Sequence, residues 1–221
     1  MKSIPHVISW NLTKACNLLC THCYLLADNV QLSNQPPPHL PATAAVQDAP
    51  NFNQVQCGSA NAADELDTEK ALKVIDEIAE LNPNLILILT GGEPLLREDL
   101  FDLSRHAAGK GMMVLLGTNA CLIDDEMAKK LKDNGFSGIG ISLDSVHPEI
   151  HDSIRGAKGS WEKAVEGMKA CKRNGLEIQI QSTVFKKNYD EIPELVAFAN
   201  DMGARVFNLF FLVCTGRGQD I

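Results

Sequence analysis

Leu85-Ile86-Leu87-Ile88-Leu89-Thr90-Gly91-Gly92-Glu93-Pro94 is an unbroken apolar run that ends in two glycines, a carboxylate and a proline. Five consecutive Leu and Ile residues show no alternation, so the run reads as a buried strand of a parallel sheet. The pattern repeats on both sides of it. Leu72, Ile75, Ile78 and Ala79 recur at helical spacing within 66–81, behind an Asp67/Thr68 cap. Downstream, helices are expected over 100–108, 124–134, 161–174 and 192–202, the last three stopped by Gly135, Gly175 and Gly203. Strands are expected over 112–116, 138–143, 176–184 and 206–212, and Val7–Leu12 supplies the first. Six strands alternating with five helices mean an α/β fold with a parallel sheet. A barrel and a doubly wound open sheet both satisfy that pattern.

The segment from 27 to 65 breaks the rhythm. Pro36-Pro37-Pro38, Pro41, Pro50 and many Asn, Ala and Gln residues fill it, and apolar periodicity is absent. It reads as a long inserted loop, either a tolerated insertion or a lid or docking element. The domain expectation is one unit over 1–221 carrying this insert. The last residues, Thr215 to Ile221, follow a strand without the helix that should cover it, so more protein is expected after them.

Composition narrows the function classes. A hydrophobic content of 45% with 22% charged residues is that of a soluble globular protein. The net charge of −8 argues against a nucleic-acid-binding face and for small-molecule or peptide-like partners. No run reaches the ~18–20 apolar residues of a membrane span, and no signal peptide precedes the first strand. Seven cysteines without an export signal read as reduced thiols or metal ligands of a cytoplasmic protein.

Three of those cysteines form Cys16-x3-Cys20-x2-Cys23 just after the first strand. Three thiolates can converge on one soft-metal centre, one ligand short of a closed zinc or iron–sulfur site. Parallel α/β folds place their sites at the C-terminal ends of strands. Those ends carry Gly91-Gly92-Glu93-Pro94, Thr118-Asn119, Ser142-Leu143-Asp144, Ser182-Thr183 and Cys214 to Gly218. The glycine pair lets backbone approach a ligand, and Glu93 can accept from a cationic amine. A plain βα turn with a capping carboxylate explains the same residues. Ser142 and Asp144, two apart, suit a ribose or an amino-acid head group, or simply a helix cap. Arg155 can anchor an acidic group. His147 and His151, four apart, carry little metal-binding signal. Trp161, Phe207 and Cys171 read as core, and Cys57 and Cys121 as isolated thiols.

Together these residues resemble the radical S-adenosylmethionine (radical SAM) superfamily. The cysteine motif, Gly91-Gly92-Glu93-Pro94 and Ser142-Leu143-Asp144 carry the resemblance, which covers the chain outside the insert. It implies a partial (β/α)6 barrel of the TIM type. It also implies a [4Fe-4S] cluster held by Cys16, Cys20 and Cys23, with S-adenosylmethionine chelating the fourth iron. The backbone at His22 would lie by the adenine, and Gly91, Gly92, Glu93 and Pro94 by the methionine amine. Thr118, Asn119, Ser142 and Asp144 would hold carboxylate or ribose, and Leu212 and Val213 would line the adenine. Reductive cleavage to a 5′-deoxyadenosyl radical and hydrogen abstraction would follow, fed by a donor such as ferredoxin or flavodoxin. Trp10 to Thr13, His151-Asp152 with Arg155-Gly156, and Leu212 to Gly218 look like the SPASM-type branch, which carries a C-terminal extension with further clusters. Within it they are most similar to enzymes of heme and d-type heme biosynthesis, with tetrapyrrole substrates. Peptide maturases share most of these features. The non-enzyme alternative is a structural zinc module built on the same cysteines with His22 or Cys57.

Overall fold

The computed structural model describes residues 4–29, 39 and 65–221. The expected loop and Cys57 therefore lie almost wholly outside the described residues. Strand β1 (Val7–Asn11) leads through two-residue β2 (Ala15–Cys16) and β3 (Asp28–Asn29). After the undescribed segment come α1 (Thr68–Leu81), β4 (Ile86–Thr90), α2 (Leu100–Gly109), β5 (Met113–Thr118), α3 (Asp125–Asp133) and β6 (Phe136–Ser142). The chain continues through α4 (Pro148–Arg155), α5 (Ser160–Arg173), β7 (Glu177–Val184), α6 (Ile192–Met202) and β8 (Val206–Phe211).

The main sheet runs β1-β4-β5-β6-β7-β8, every neighbour parallel. That order decides between the two architectures. A doubly wound sheet reverses direction at a switch point, and this one never does. Right-handed crossovers that always step the same way put every helix on one face and curl the sheet around the other. Among the described residues β1 and β8 are the two edges and do not pair with each other, so the barrel is partial.

The helix-covered face holds the core. Leu87, Leu89, Val114, Leu116, Ile141 and Ile180 are fully buried, while Ile86, Ile88 and Leu115 between them are only half-buried. The apolar run at 85–89 is thus not equally dry on both sides. Its second face lines the concave side of an open barrel. Helix α1 shows how the local code works. The Asp67 side chain accepts from Lys70 N at 2.9 Å and starts the helix. Ala71, Ile75 and Ile78, at i, i+4 and i+7, then face the sheet.

Two expectations change. The short stretch around His147 and His151 is a full helix, α4, so six α-helices rather than five lie among the described residues. The two histidines do not share a face: His147 is the N-cap residue and exposed, whereas His151 is buried inside the helix. The last strand ends at Phe211, leaving Leu212 and Val213 beyond it.

Candidate active site

The cysteine loop leaves β1 and is clamped at once by the end of β4. Leu12 N donates to Thr90 O at 2.8 Å, Gly92 N to Thr13 O at 2.7 Å and Glu93 N to Ala15 O at 2.8 Å. This pairing explains the two glycines. Gly91 sits at φ 142°, and a Cβ there would lie 2.5 Å from Thr13 O; one at Gly92 would lie 2.2 Å from Ala15 O. Their small size admits backbone of this chain, at residues 13–15. Arg97 adds a second clamp, donating to Leu12 O at 3.0 Å and Leu66 O at 3.1 Å while paired with Asp99. Glu65 accepts from Thr13 Oγ1 at 2.6 Å and Lys14 N at 3.1 Å. The chain therefore returns from the undescribed segment directly against the cysteine loop.

Glu93 is fully buried. Its carboxylate accepts from Thr118 Oγ1 at 2.9 Å, Asn119 N at 2.9 Å and Leu95 N at 3.1 Å. Both oxygens are therefore engaged by protein donors, and the side chain braces the end of β5 against the buried turn at Pro94. Asn119 then donates to Asn17 Oδ1 at 2.7 Å, which ties the same strand end to the cysteine loop. Burial pushes Glu93 from 4.5 to about 7, against the pull of those hydrogen bonds. A carboxyl raised on folding binds more protons in the native than in the unfolded state between these values. Its share of stability is present below pH 4.5 and falls as pH rises through about 7. The loss is on the order of 3 kcal/mol. Glu93→Gln will flatten the difference between urea midpoints of the apoprotein at about pH 5 and about pH 8. An unchanged difference would show that Glu93 titrates normally.

The cysteine sulfurs are held by backbone and by one cation. Leu18 N donates to Cys16 Sγ at 3.4 Å, Ala27 N to Cys23 Sγ at 3.5 Å, and Arg155 Nη1 to Cys20 Sγ at 3.9 Å. Burial pushes the Cys16 and Cys20 thiols up, with Arg155 opposing it at Cys20. Cys121, read from sequence as isolated, packs against this segment, and burial raises it to about 12. Cys171 lies in the core as expected, and Cys214 is exposed. Among the described residues, no three His, Cys, Asp or Glu side chains are grouped to hold a single metal ion. A closed zinc site normally takes four ligands, and three thiols on one loop suit a cluster in which each ligates a different iron.

Opposite the cysteines sits a buried charge network. Asp144 is wholly inaccessible, and Arg155 is 7% exposed. Asp144 Oδ2 lies 2.8 Å from Arg155 Nη2 and 3.8 Å from His22 Nε2. Oδ1 accepts from Thr183 N at 2.9 Å, and the Asp144 carbonyl accepts from Asn188 Nδ2 at 2.7 Å. Asp144 N donates to His151 Nδ1 at 3.3 Å. Burial and then the Arg155 charge push both His22 and His151 down to about 4, so both are neutral near pH 7. Among the described residues Arg155 Nε and His22 Nδ1 have no hydrogen-bond partner, and Asp144 Oδ2 has only its ion pair with Arg155 and the more distant His22. Unsatisfied buried polar atoms are rare and call for an explanation. Two of them, beside a buried ion pair and three thiols, fit a site that takes a polar, charged ligand next to a cluster.

The other expected residues are placed as follows. Ser142 closes β6 and is half-buried. Leu212 is half-buried and donates through its N–H to Val184 O at 3.1 Å, while Val213 is exposed. Asn188 was missed by the sequence reading. It accepts from Phe185 N at 2.9 Å and donates to Thr183 O at 2.9 Å, so one amide locks the ends of β6 and β7 together. An isolated Asn in a polar loop gives no signal of that.

The model of the radical SAM superfamily matches residues 10–199. The chain belongs to the radical SAM superfamily. The family's characteristic cofactors are S-adenosylmethionine and a [4Fe-4S] cluster, and the cysteine loop and orphaned polar atoms are compatible with both. The chain is 34% identical, over its full length, to an AdoMet-dependent heme synthase of Methanosarcina barkeri, of which it covers 54%. It is 29% identical over 98% of its length to the mycofactocin maturase MftC of Mycolicibacterium smegmatis, covering 47% of that protein. It thus spans about half the length of these relatives. The structure of Streptococcus suis SuiB bound to S-adenosylmethionine superposes with a TM-score of 0.68 at 17% identity, over 96% of this chain and 41% of SuiB. That likeness bears out the partial radical SAM barrel. Among the described residues no helix is long and apolar enough to cross a membrane.

Proposed function

We propose that this chain is the catalytic core of a radical SAM enzyme acting on a tetrapyrrole in heme or d-type heme biosynthesis. The observation that carries the chemistry is the placement of Cys16, Cys20 and Cys23 against the buried Arg155–Asp144 pair. Cys16, Cys20 and Cys23 would hold a [4Fe-4S] cluster, and S-adenosylmethionine would bind beside it. The chemistry supplied by these groups when bound is reductive cleavage of the sulfonium and hydrogen abstraction from substrate.

The residues around the cysteines bind and orient. Arg155 and Ser142 meet the carboxylate end of the cofactor, and Asp144 holds Arg155 in place. The backbone at Gly91 and Gly92 meets the amine, while Glu93 and Pro94 fix that backbone through Thr118 and Asn119. His22, Leu212 and Val213 flank the adenine. Neutral His22 and His151 keep further positive charge out of the site. An electron donor of the ferredoxin or flavodoxin class completes the system, and the compartment is the cytoplasm.

Similarity to the heme synthase supports the tetrapyrrole substrate, and similarity to MftC supports a peptide as the second reading. Anaerobic reconstitution with iron and sulfide, followed by dithionite and S-adenosylmethionine, tests both levels. Protein that takes up zinc but neither iron nor sulfide sinks the cluster. Mass change on iron-coproporphyrin or a siroheme-derived tetrapyrrole supports the substrate class. Turnover of a candidate peptide alone replaces it with the second reading.

A further inference from the structure

Arg217 reaches back across nearly the whole chain to the cysteine loop. Its Nε donates to Cys20 O at 2.8 Å and its Nη1 to Ala27 O at 3.1 Å. Its backbone N–H donates to Cys23 O at 3.0 Å. One residue thus serves three carbonyls of the segment 20–27, which carries two of the three cysteines and His22. The approach is close enough to demand the residue before it. Gly216 sits at φ 57°, and a Cβ there would lie 2.4 Å from Cys23 O and 2.8 Å from Tyr24 O.

The guanidinium has no carboxylate partner among the described residues, in contrast to Arg97 and Arg155. A fork of fixed donors is well suited to holding two carbonyls at once. A charge this close to the backbone of a ligand residue also bears on redox chemistry. Cluster potentials follow the net charge and hydrogen bonding around the sulfurs, and a nearby cation favours the electron-richer state.

We propose that Arg217 is a positioning residue for the cluster: its fork holds Cys20–Ala27 in the ligating shape, and its charge makes the bound cluster easier to reduce. The proposal rests on the function above, and its first readout needs no cluster. In the apoprotein, Arg217→Gln and Arg217→Lys each raise amide exchange within 20–27 at least about tenfold, because hydrogen bonds to a charged donor are lost, while exchange in β4 to β7 stays unchanged. A merely destabilising change would speed exchange in both regions. In reconstituted protein, redox titration gives a more negative potential for Arg217→Gln and a near wild-type one for Arg217→Lys, which keeps the charge.

Unchanged exchange within 20–27 in both variants overturns the proposal, and so does an Arg217→Gln cluster at the wild-type potential. If Arg217→Gln takes up no cluster, Arg217→Lys decides. Its loss of the fork must still speed local exchange, and the proposal fails if it does not. Wild-type protein that binds zinc in place of iron sinks the function of the previous section and leaves the exchange result readable.

Discussion

Cys20→Ala protein, reconstituted anaerobically with iron and sulfide, will hold almost no cluster and will cleave S-adenosylmethionine at background rate. Cys16→Ala and Cys23→Ala will do the same. The three sulfurs sit on one loop, pinned at both ends by backbone hydrogen bonds. Loss of an outer partner of a metal site already costs roughly 10- to 100-fold in affinity or activity. Loss of a direct thiolate costs more. Cys57→Ala, in the undescribed segment, will keep full iron and activity, as will exposed Cys214→Ala. Iron and sulfide per chain and the anaerobic formation of 5′-deoxyadenosine are the measurements. A Cys57→Ala protein without a cluster would move the fourth thiol into the site and reopen the zinc reading. Cys121 sharpens the test, because among the described residues it is the further sulfur that packs against the cysteine segment and could rescue a lost ligand. Retained iron in Cys20→Ala that disappears in Cys20→Ala/Cys121→Ala would reveal that rescue.

Asp144→Ala will destabilise the apoprotein by about 3–5 kcal/mol, the usual cost of leaving one partner of a buried ion pair uncompensated. Arg155 stays buried, and its Nη2 loses the carboxylate oxygen 2.8 Å away. The Thr183 N–H also loses its acceptor. Arg155→Ala will cost a similar amount from the other side. The double change Asp144→Leu/Arg155→Met should recover most of that loss, because apolar replacement of a whole buried pair is often neutral or stabilising. Its affinity for S-adenosylmethionine should nevertheless be abolished. Urea midpoints of the apoprotein and calorimetric binding of S-adenosylmethionine to the reconstituted protein separate the two effects. Recovery of stability without binding would show that the pair is kept for the ligand. A double variant that binds normally would remove Arg155 and Asp144 from the cofactor site.

Much of the architecture is local and therefore legible. The run 85–89 announces a strand because nothing in it tolerates water. Asp67 announces a helix start because its oxygen reaches Lys70 N three residues on. Gly135, Gly175 and Gly203 all lie at positive φ, the conformation that ends a helix cheaply. Helix α4 is hard to read because Pro148 and five polar residues dilute a short pattern. Its buried face is defined by His151, Ile154 and Arg155, and two of these are polar. The candidate site is legible to the extent that its chemistry sits in consecutive residues, as in Cys16 to Cys23 and Gly91 to Pro94. It is illegible where partners are remote. Arg217 and Cys20 are 197 positions apart, and Asn119 and Asn17 are 102 apart. No spacing rule links such residues.

The amino-acid sequence by itself determined the alternation of strands and helices, the three thiols on one short loop and the crowding of polar residues at strand ends. Each depends on neighbours in the chain, through apolar periodicity, capping and ligand spacing. Only the tertiary structure decided that the sheet curls instead of reversing, because strand order is a relation between segments that never meet in sequence. It also decided what the glycines at 91 and 92 are for, since the backbone they admit belongs to residues 13–15. And it decided that Asp144, Arg155 and His22 share one buried site. Charges can be taken out of water only where several distant elements close around them together.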